Sequence, residues 1–281
     1  MNVKILVDSA SDLLAEDYEL LNIKRMPIEV RFGDEEFMDG ENLSASEFYN
    51  KLAENPNHPQ TSLINGYRWA EVFENELKDA DEIVAITLSS KISGTYQAAL
   101  ETAKDLGGKV FVVDSLNATL GEGILAKVAA KLVSEGKSGS EIKAELDRLK
   151  LKIRVFAGID TLKYLKKGGR ISAATAFFGE ALNFKPIVAV IDGEVKMKDK
   201  ARGVKKAIAT LVETINSTNG IDTEMPMAVI CSGNDRTNVE KFIEEASNLW
   251  AGAKDAQTYC LGSTIGTHIG PGAFGVCFFE K

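Results

Sequence analysis

The strongest constraint on the fold is a cadence in the first half of the chain: a short apolar run, a polar loop rich in hydroxyl groups, then a helical stretch. Ile83–Leu88, Ser89–Thr95 and Tyr96–Leu106 form one such unit. Val110–Val113, Asp114–Thr119 and Leu120–Ser134 form the next, and Val3–Val7 with Asp8–Asp12 and a helix through about Leu20 opens the chain. The apolar runs are too short for helices and read as strands. Strands joined through helices pair in parallel, and the helices cover the sheet. Ser44-Ala45-Ser46-Glu47 and Ser138-Gly139-Ser140-Glu141 are capping boxes that open helices to about Ala53 and Leu149. Tyr67–Leu77 is amphipathic and helical, and Ile23–Phe32 is extended, with Pro27 confining it to an edge or a bend.

The second half breaks the cadence. Strand Val155–Ile159 is followed by a helix over Leu162–Lys167, ended by Gly168-Gly169, and by a small apolar helix over Ala173–Leu182. Ile187–Ile191 and Val195–Lys198 flank Asp192-Gly193, a hairpin signal that brings in antiparallel pairing. Helices over Val204–Ile215 and Asn238–Trp250 and strands over Ala228–Cys231, Ala256–Leu261 and Gly275–Phe279 complete the chain. At 281 residues the protein is too long for one small core. The reading is α/β: an N-terminal α/β/α domain with a mostly parallel sheet over residues 1–152, and a C-terminal α+β domain with a mixed sheet over 153–281. No low-complexity linker separates them, so they are expected to pack closely.

Composition removes several function classes. With 33 basic and 41 acidic residues the net charge is −8, which argues against nucleic-acid binding. Cys231, Cys260 and Cys277 show no CxxC spacing, so no metal site is expected, and a sparse, odd cysteine count points to a reducing compartment. The N-terminus runs straight into an apolar strand and does not read as a signal peptide. No apolar run approaches the roughly 20 residues of a membrane span. The expectation is a cytoplasmic protein with two histidines, His58 and His268, and little else able to move protons near neutral pH.

The hydroxyl-rich loops then gain interest. In an open parallel sheet the loops after the strands share one edge, where ligands bind. Helix N-termini there leave N–H groups free, and Ser and Thr add donors without charge. This suits a carboxylate or a phosphate, although any one loop alone reads more readily as helix capping. Ser93-Gly94-Thr95 carries more weight, because Gly94 lets backbone approach a ligand. Thr61-Ser62 is a fourth hydroxyl pair. Lys166-Lys167-Gly168-Gly169-Arg170 sets cations at a helix end, where they also serve the helix dipole. Ile265–Gly272 surrounds His268 with glycines, and His58, between Asn57 and Pro59, is expected to be exposed.

Taken in order, these segments resemble the DegV family of bacterial proteins. The resemblance spans nearly the whole chain. It rests on Asp8-Ser9 with Asp12, Thr61-Ser62, Ser89-Ser90-Lys91 with Ser93-Gly94-Thr95, and Asp114-Ser115 with Gly121-Glu122-Gly123. The second half adds Asp160-Thr161-Leu162 with Tyr164-Leu165, Lys167-Gly168-Gly169-Arg170, Lys185-Pro186-Ile187, and Gly266-Thr267-His268 with Gly270-Pro271-Gly272. The resemblance implies a two-domain fold with a long-chain fatty acid between the domains. It also implies the role of the fatty-acid-binding (FakB) subunit of bacterial fatty acid kinase, a lipid-binding protein and not itself an enzyme.

In that role the chain carries no cofactor of its own. ATP and Mg²⁺ belong to a separate kinase subunit, which phosphorylates the bound carboxylate, and the acyl-phosphate feeds phospholipid synthesis. Transient contact with a membrane surface is expected as well. By the same resemblance Ser93, Gly94, Thr95, Thr61 and Ser62 would hold the carboxylate, with His268 in their hydrogen-bond network. Arg170 and Lys167 would sit at the pocket mouth where the kinase docks, with Arg202 on the same surface. The chain departs from the family's usual Gln-Pro-Ser after the Thr-Ser pair: it has Leu63-Ile64-Asn65.

The chemistry is sensible without the family. Burying a long acyl chain gains roughly 0.8 kcal/mol per methylene. Neutral donors at one end offset the cost of burying its carboxylate. Phe177 and Phe178, beside alanines in Ala173–Leu182, are candidates for a tunnel wall or lid, or for ordinary core packing. Two other readings stay open. One is a hydrolase with Ser93 as nucleophile and His268 as base, although no GxSxG elbow is present. The other is a dihydroxyacetone-binding type of kinase subunit. No P-loop occurs, so phosphoryl transfer by this chain alone is not expected.

Overall fold

The computed structural model describes residues 2–171, 184–251 and 256–281. The expected helix Ala173–Leu182, with Phe177 and Phe178, lies outside the described residues.

Three sheets organise the chain. Strands β1 (Val3–Asp8), β2 (Ile23–Met26), β6 (Glu82–Thr87) and β7 (Val110–Asp114) form a parallel sheet in the order β2-β1-β6-β7. Strands β8 (Ile153–Gly158), β9 (Phe184–Ile191), β10 (Glu194–Arg202), β11 (Met227–Cys231), β12 (Ala256–Cys260) and β13 (Phe274–Phe279) form a mixed sheet in the order β10-β9-β8-β13-β11-β12. In it β11 and β12 run parallel and the other neighbours antiparallel. This is the mixed α/β architecture expected from the sequence. The turn between β9 and β10 is Asp192-Gly193, both at positive φ, as a tight hairpin requires.

The third sheet, antiparallel β4-β3-β5, was not expected. It is built from β3 (Glu29–Phe32), β4 (Glu35–Met38) and the two-residue β5 (Gln60–Thr61). The extended run Ile23–Phe32 breaks at Pro27 and Ile28, so β2 joins one sheet and β3 another. Both expected capping boxes are present: Ser44 and Ser138 each accept from the N–H three residues on, and Glu47 and Glu141 reach back. The helix expected over Asn238–Trp250 is α-helical only over Thr237–Ala246 and tightens into a 3₁₀ turn over Ser247–Trp250. The glycine-rich segment around His268 forms an unexpected helix, Ser263–Ile269.

Helix Leu120–Ser134 joins the two large sheets. It packs on β1 and β6 of the parallel sheet and on β8, β11 and β13 of the mixed one. Two glycines make the double contact possible. A Cβ at Gly121 would lie 2.7 Å from Val155 Cγ2, and one at Gly123 2.6 Å from the Ser11 carbonyl oxygen. Side chains would hold the helix away from both halves, so Gly-Glu-Gly is a packing motif here. The resulting apolar cluster runs from Val7 and Ile86 to Val155 and Ile230, one core across both sheets. No helix among the described residues is long and apolar enough to cross a membrane.

Candidate functional site

A cavity of about 280 Å³ lies between the loops of the parallel sheet and one face of the mixed sheet. Its apolar wall comes from alternate residues of adjacent strands, Val155 and Ala157 on β8 and Val188 and Val190 on β9, with Ile230 on β11. Alternation in a strand turns such residues to one face. Ile28, Leu88 and Ile92 close the side formed by the parallel sheet's loops.

The polar lining includes two hydrogen-bonded side-chain pairs. Thr61 Oγ1 lies 2.9 Å from Nε2 of His268. Ser93 Oγ lies 3.0 Å from Thr95 Oγ1 and accepts from the Thr95 N–H at 3.2 Å. Thr95 Oγ1 also accepts from the Ile64 N–H at 3.2 Å, which ties the Ser93 loop to the Thr61 segment. Arg170 donates through Nε to the Ile92 carbonyl at 3.1 Å and through Nη1 to the Gly168 carbonyl at 2.5 Å. Its guanidinium is therefore held at the cavity wall by backbone oxygens of both halves. Burial, helped by the nearby Arg170 charge and by His58, lowers the His268 pKa to about 4. The imidazole is neutral at pH 7, one of its nitrogens a donor and the other an acceptor.

The structure thus brings Thr61, Ser62, Ser93, Gly94, Arg170 and His268 to one cavity. The two hydroxyls of Thr61-Ser62 part company: Thr61 faces His268, whereas the exposed Ser62 donates to the Glu29 carboxylate at 3.0 Å. Thr95 does not line the cavity; it is buried behind Ser93. Lys167 and Arg202 are exposed and lie off the cavity lining, Lys167 at the end of helix Lys163–Lys167 and Arg202 at the end of β10. His58 is half-buried rather than exposed, with its ring centroid 5.8 Å from that of Tyr164. Burial, together with Lys167 and Lys163, lowers its pKa.

Of the three hydroxyl-rich loops, two reach the cavity, through Ser93 and Gly94 and through Ala118 and Thr119. The Asp8–Asp12 loop does not. Its groups are spent on scaffolding: Asp8 accepts from the Leu88 and Ala10 N–H groups, Ser9 Oγ from Ile28 N–H, and Asp12 from Gly262 N–H. Burial raises the Asp8 pKa to about 7 despite those bonds.

Thr264 in the cavity lining has no counterpart among the sequence candidates, and Thr119 figures there only as part of its hydroxyl-rich loop. Thr119 sits at φ 52°, uncommon for a β-branched residue, at the start of helix Leu120–Ser134. Thr264 follows Gly262-Ser263, a pair that suits the start of a helix and was the available signal. The hydrolase pair is not assembled. Ser93 is bonded to Thr95 and His268 to Thr61, and no hydrogen bond links Ser93 to His268. Among the described residues no cluster of His, Cys, Asp and Glu could hold a metal ion.

Known proteins share this sequence pattern and this fold. A family model described as "Uncharacterised protein, DegV family" matches residues 2–281. A DegV domain-containing protein of Caldanaerobacter subterraneus is 36% identical over 285 residues, covering 99% of both chains. Among solved structures, the chain is similar to a DegV family protein from Thermus thermophilus described by its fatty acid binding, with a TM-score of 0.89, 31% identity and 100% of both chains covered. It is likewise similar to DegV of Bacillus subtilis, described as a fatty acid binding protein, with a TM-score of 0.86, 31% identity and 100% of both chains covered.

Proposed function

Since the chain belongs to the DegV family, we propose that it is a lipid-binding protein that carries a long-chain fatty acid between its two halves and presents the carboxylate to a separate kinase subunit. One observation carries the reading: an aliphatic cavity is joined to uncharged hydroxyls and a neutral imidazole, with Arg170 beside them. The acyl chain gains from leaving water, and the hydroxyls offset the cost of burying its headgroup. Thr61 and Ser93 are the carboxylate's donors in this reading, and His268 orients Thr61.

Ser93 is bonded to Thr95 and His268 to Thr61, and in this reading activation of the carboxylate falls to a partner that brings ATP and Mg²⁺. Arg170, with Lys167 and Arg202 further out, is the surface on which that partner docks. In this scheme residues 1–152 supply the hydroxyl loops and residues 153–281 supply the tunnel, the basic rim and His268. The acyl-phosphate made by the pair would enter phospholipid synthesis in the cytoplasm.

Extraction of the purified protein with organic solvent, followed by mass spectrometry, tests the carrier. A near-stoichiometric fatty acid is expected. A chain that emerges empty and takes up no added fatty acid overturns the proposal. Presentation is tested by adding an ATP-dependent fatty acid kinase subunit and MgATP to the loaded protein. Acyl-phosphate is expected, and a carboxylate that stays unmodified removes the kinase role while leaving the carrier standing.

A further inference from the structure

We propose that Asp39 is a positioning residue for the carboxylate end of the cavity, acting through the helix Ser263–Ile269 to set where Thr264 and His268 stand; this rests on the fatty-acid reading above. Asp39 follows β4 and is 3% exposed. Its Oδ1 accepts from the Ser263 N–H at 2.9 Å and from Ser263 Oγ at 2.6 Å, and its Oδ2 accepts from the Thr264 N–H at 3.2 Å. Asp12 takes the preceding N–H, that of Gly262, at 2.7 Å. Three open N–H groups at the start of the helix thus meet carboxyl oxygens of Asp39 and Asp12.

This helix depends on such support. It has seven residues, Ser263-Thr264-Ile265-Gly266-Thr267-His268-Ile269, too few to persist alone and poor in strong helix formers. Its middle is fitted closely to helix Ala45–Glu54: a Cβ at Gly266 would lie 2.6 Å from a Phe48 ring carbon and 2.8 Å from Tyr49 Oη. One face, Thr264, Ile265, His268 and Ile269, lines the cavity.

The same small sheet holds the helix at both ends. Asp39 follows β4 and grips the first turn, while Thr61 lies in β5 and meets His268 in the last. Both strands pair with β3: Val30 is opposite Phe37 on one side and opposite Thr61 on the other. The distance between the two grips is therefore set by one strand width on either side of β3 and by the two-residue step along it from Ile28, opposite Asp39, to Val30, opposite Thr61. A shift of the first turn moves His268 relative to Thr61, because so short a helix moves as one piece. Asp39 holds two N–H groups of the first turn, and Asp12 holds the one before them.

The test uses the full-length protein. In Asp39→Asn the amide keeps one acceptor but turns an NH₂ toward helix N–H groups. The His268 ring ¹⁵N resonances of ligand-free protein are expected to shift and broaden. Affinity for a long-chain fatty acid should fall about tenfold, the effect of one misplaced hydrogen bond. Affinity for the alcohol of the same chain length, which lacks the carboxylate, should fall by less than about half that factor.

Ser263→Ala removes one of the three bonds and leaves the backbone contacts. It should change the same readouts in the same direction by about two- to threefold, and it decides the matter if Asp39→Asn does not fold. Wild-type ring resonances with wild-type fatty-acid affinity overturn the proposal. So does an equal loss for acid and alcohol, which would mark general loosening. If wild-type protein binds no fatty acid, the carrier reading fails, and the ring resonances of the ligand-free variants still decide the role of Asp39.

Discussion

Gly168 lies against the imidazole of His268, so that a Cβ at position 168 would collide with Nδ1. Its backbone, at φ −74° and ψ −8°, is one that any residue adopts. Space, not conformation, requires glycine there. The ring is therefore fixed between a backbone on one side and Thr61 on the other.

Gly168→Ala should push the ring out of register with Thr61 and weaken fatty-acid binding by about 1–3 kcal/mol. Calorimetric titration checks this, with folding verified by circular dichroism. Unchanged affinity would mean that the ring is free to slide without consequence for the carboxylate.

Thr61→Val keeps the shape of the side chain and removes its hydroxyl. Nε2 of His268 then loses its partner, at a cost of about 1–3 kcal/mol in stability. Thr61→Ser should recover most of that loss. Chemical denaturation of the three proteins measures it, and equal stability for Val and Thr would show that the bond contributes nothing.

Ser93→Ala removes a donor from the cavity and the acceptor of the Thr95 N–H. Fatty-acid affinity should fall by about 1–3 kcal/mol. An activated ester separates this role from hydrolysis: turnover that vanishes in Ser93→Ala would revive a nucleophilic serine, and no such dependence is expected.

His268 and Asp8 make opposed contributions to the pH dependence of stability. His268, held near 4 instead of 6.5, cannot take up the proton that the unfolded chain binds between those values. Wild type should therefore lose up to about 3 kcal/mol relative to His268→Gln as pH falls from 6.5 to 4. Asp8, raised from 3.8 to about 7 mainly by burial, retains a proton that the unfolded chain releases. Wild type should lose up to about 4 kcal/mol relative to Asp8→Asn as pH rises from 4 to 7. Denaturation midpoints of the three proteins across this range check both signs.

Much of the scaffold was legible because its signals are local. The capping boxes at Ser44 and Ser138, the Asp192-Gly193 hairpin and the strand–loop–helix cadence each depend on residues a few positions apart. The segments missed depend on distant partners. Strands β3, β4 and β5 are too short for periodicity to register. Helix Ser263–Ile269, with a glycine and β-branched residues, acquires its caps from Asp39 and Asp12, 224 and 250 positions away. The site shows the same division: Ser93, Thr61 and His268 stood out by type and company, whereas Thr119 and Thr264 looked like ordinary helix starts. His58 was misjudged because Tyr164, which half-covers it, is remote in sequence.

Helix Leu120–Ser134 is wedged between two sheets by Gly121 and Gly123, and this bears on how the protein comes into being. Neither sheet can complete its apolar layer before the other arrives, since both bury side chains against the same helix. Severing the chain after this helix would leave each fragment with an uncovered greasy flank, and recombining the fragments should be needed for either to stay dispersed. The cavity is thus an all-or-nothing property of the finished molecule: its walls come from both sheets, so a half-folded intermediate cannot enclose it.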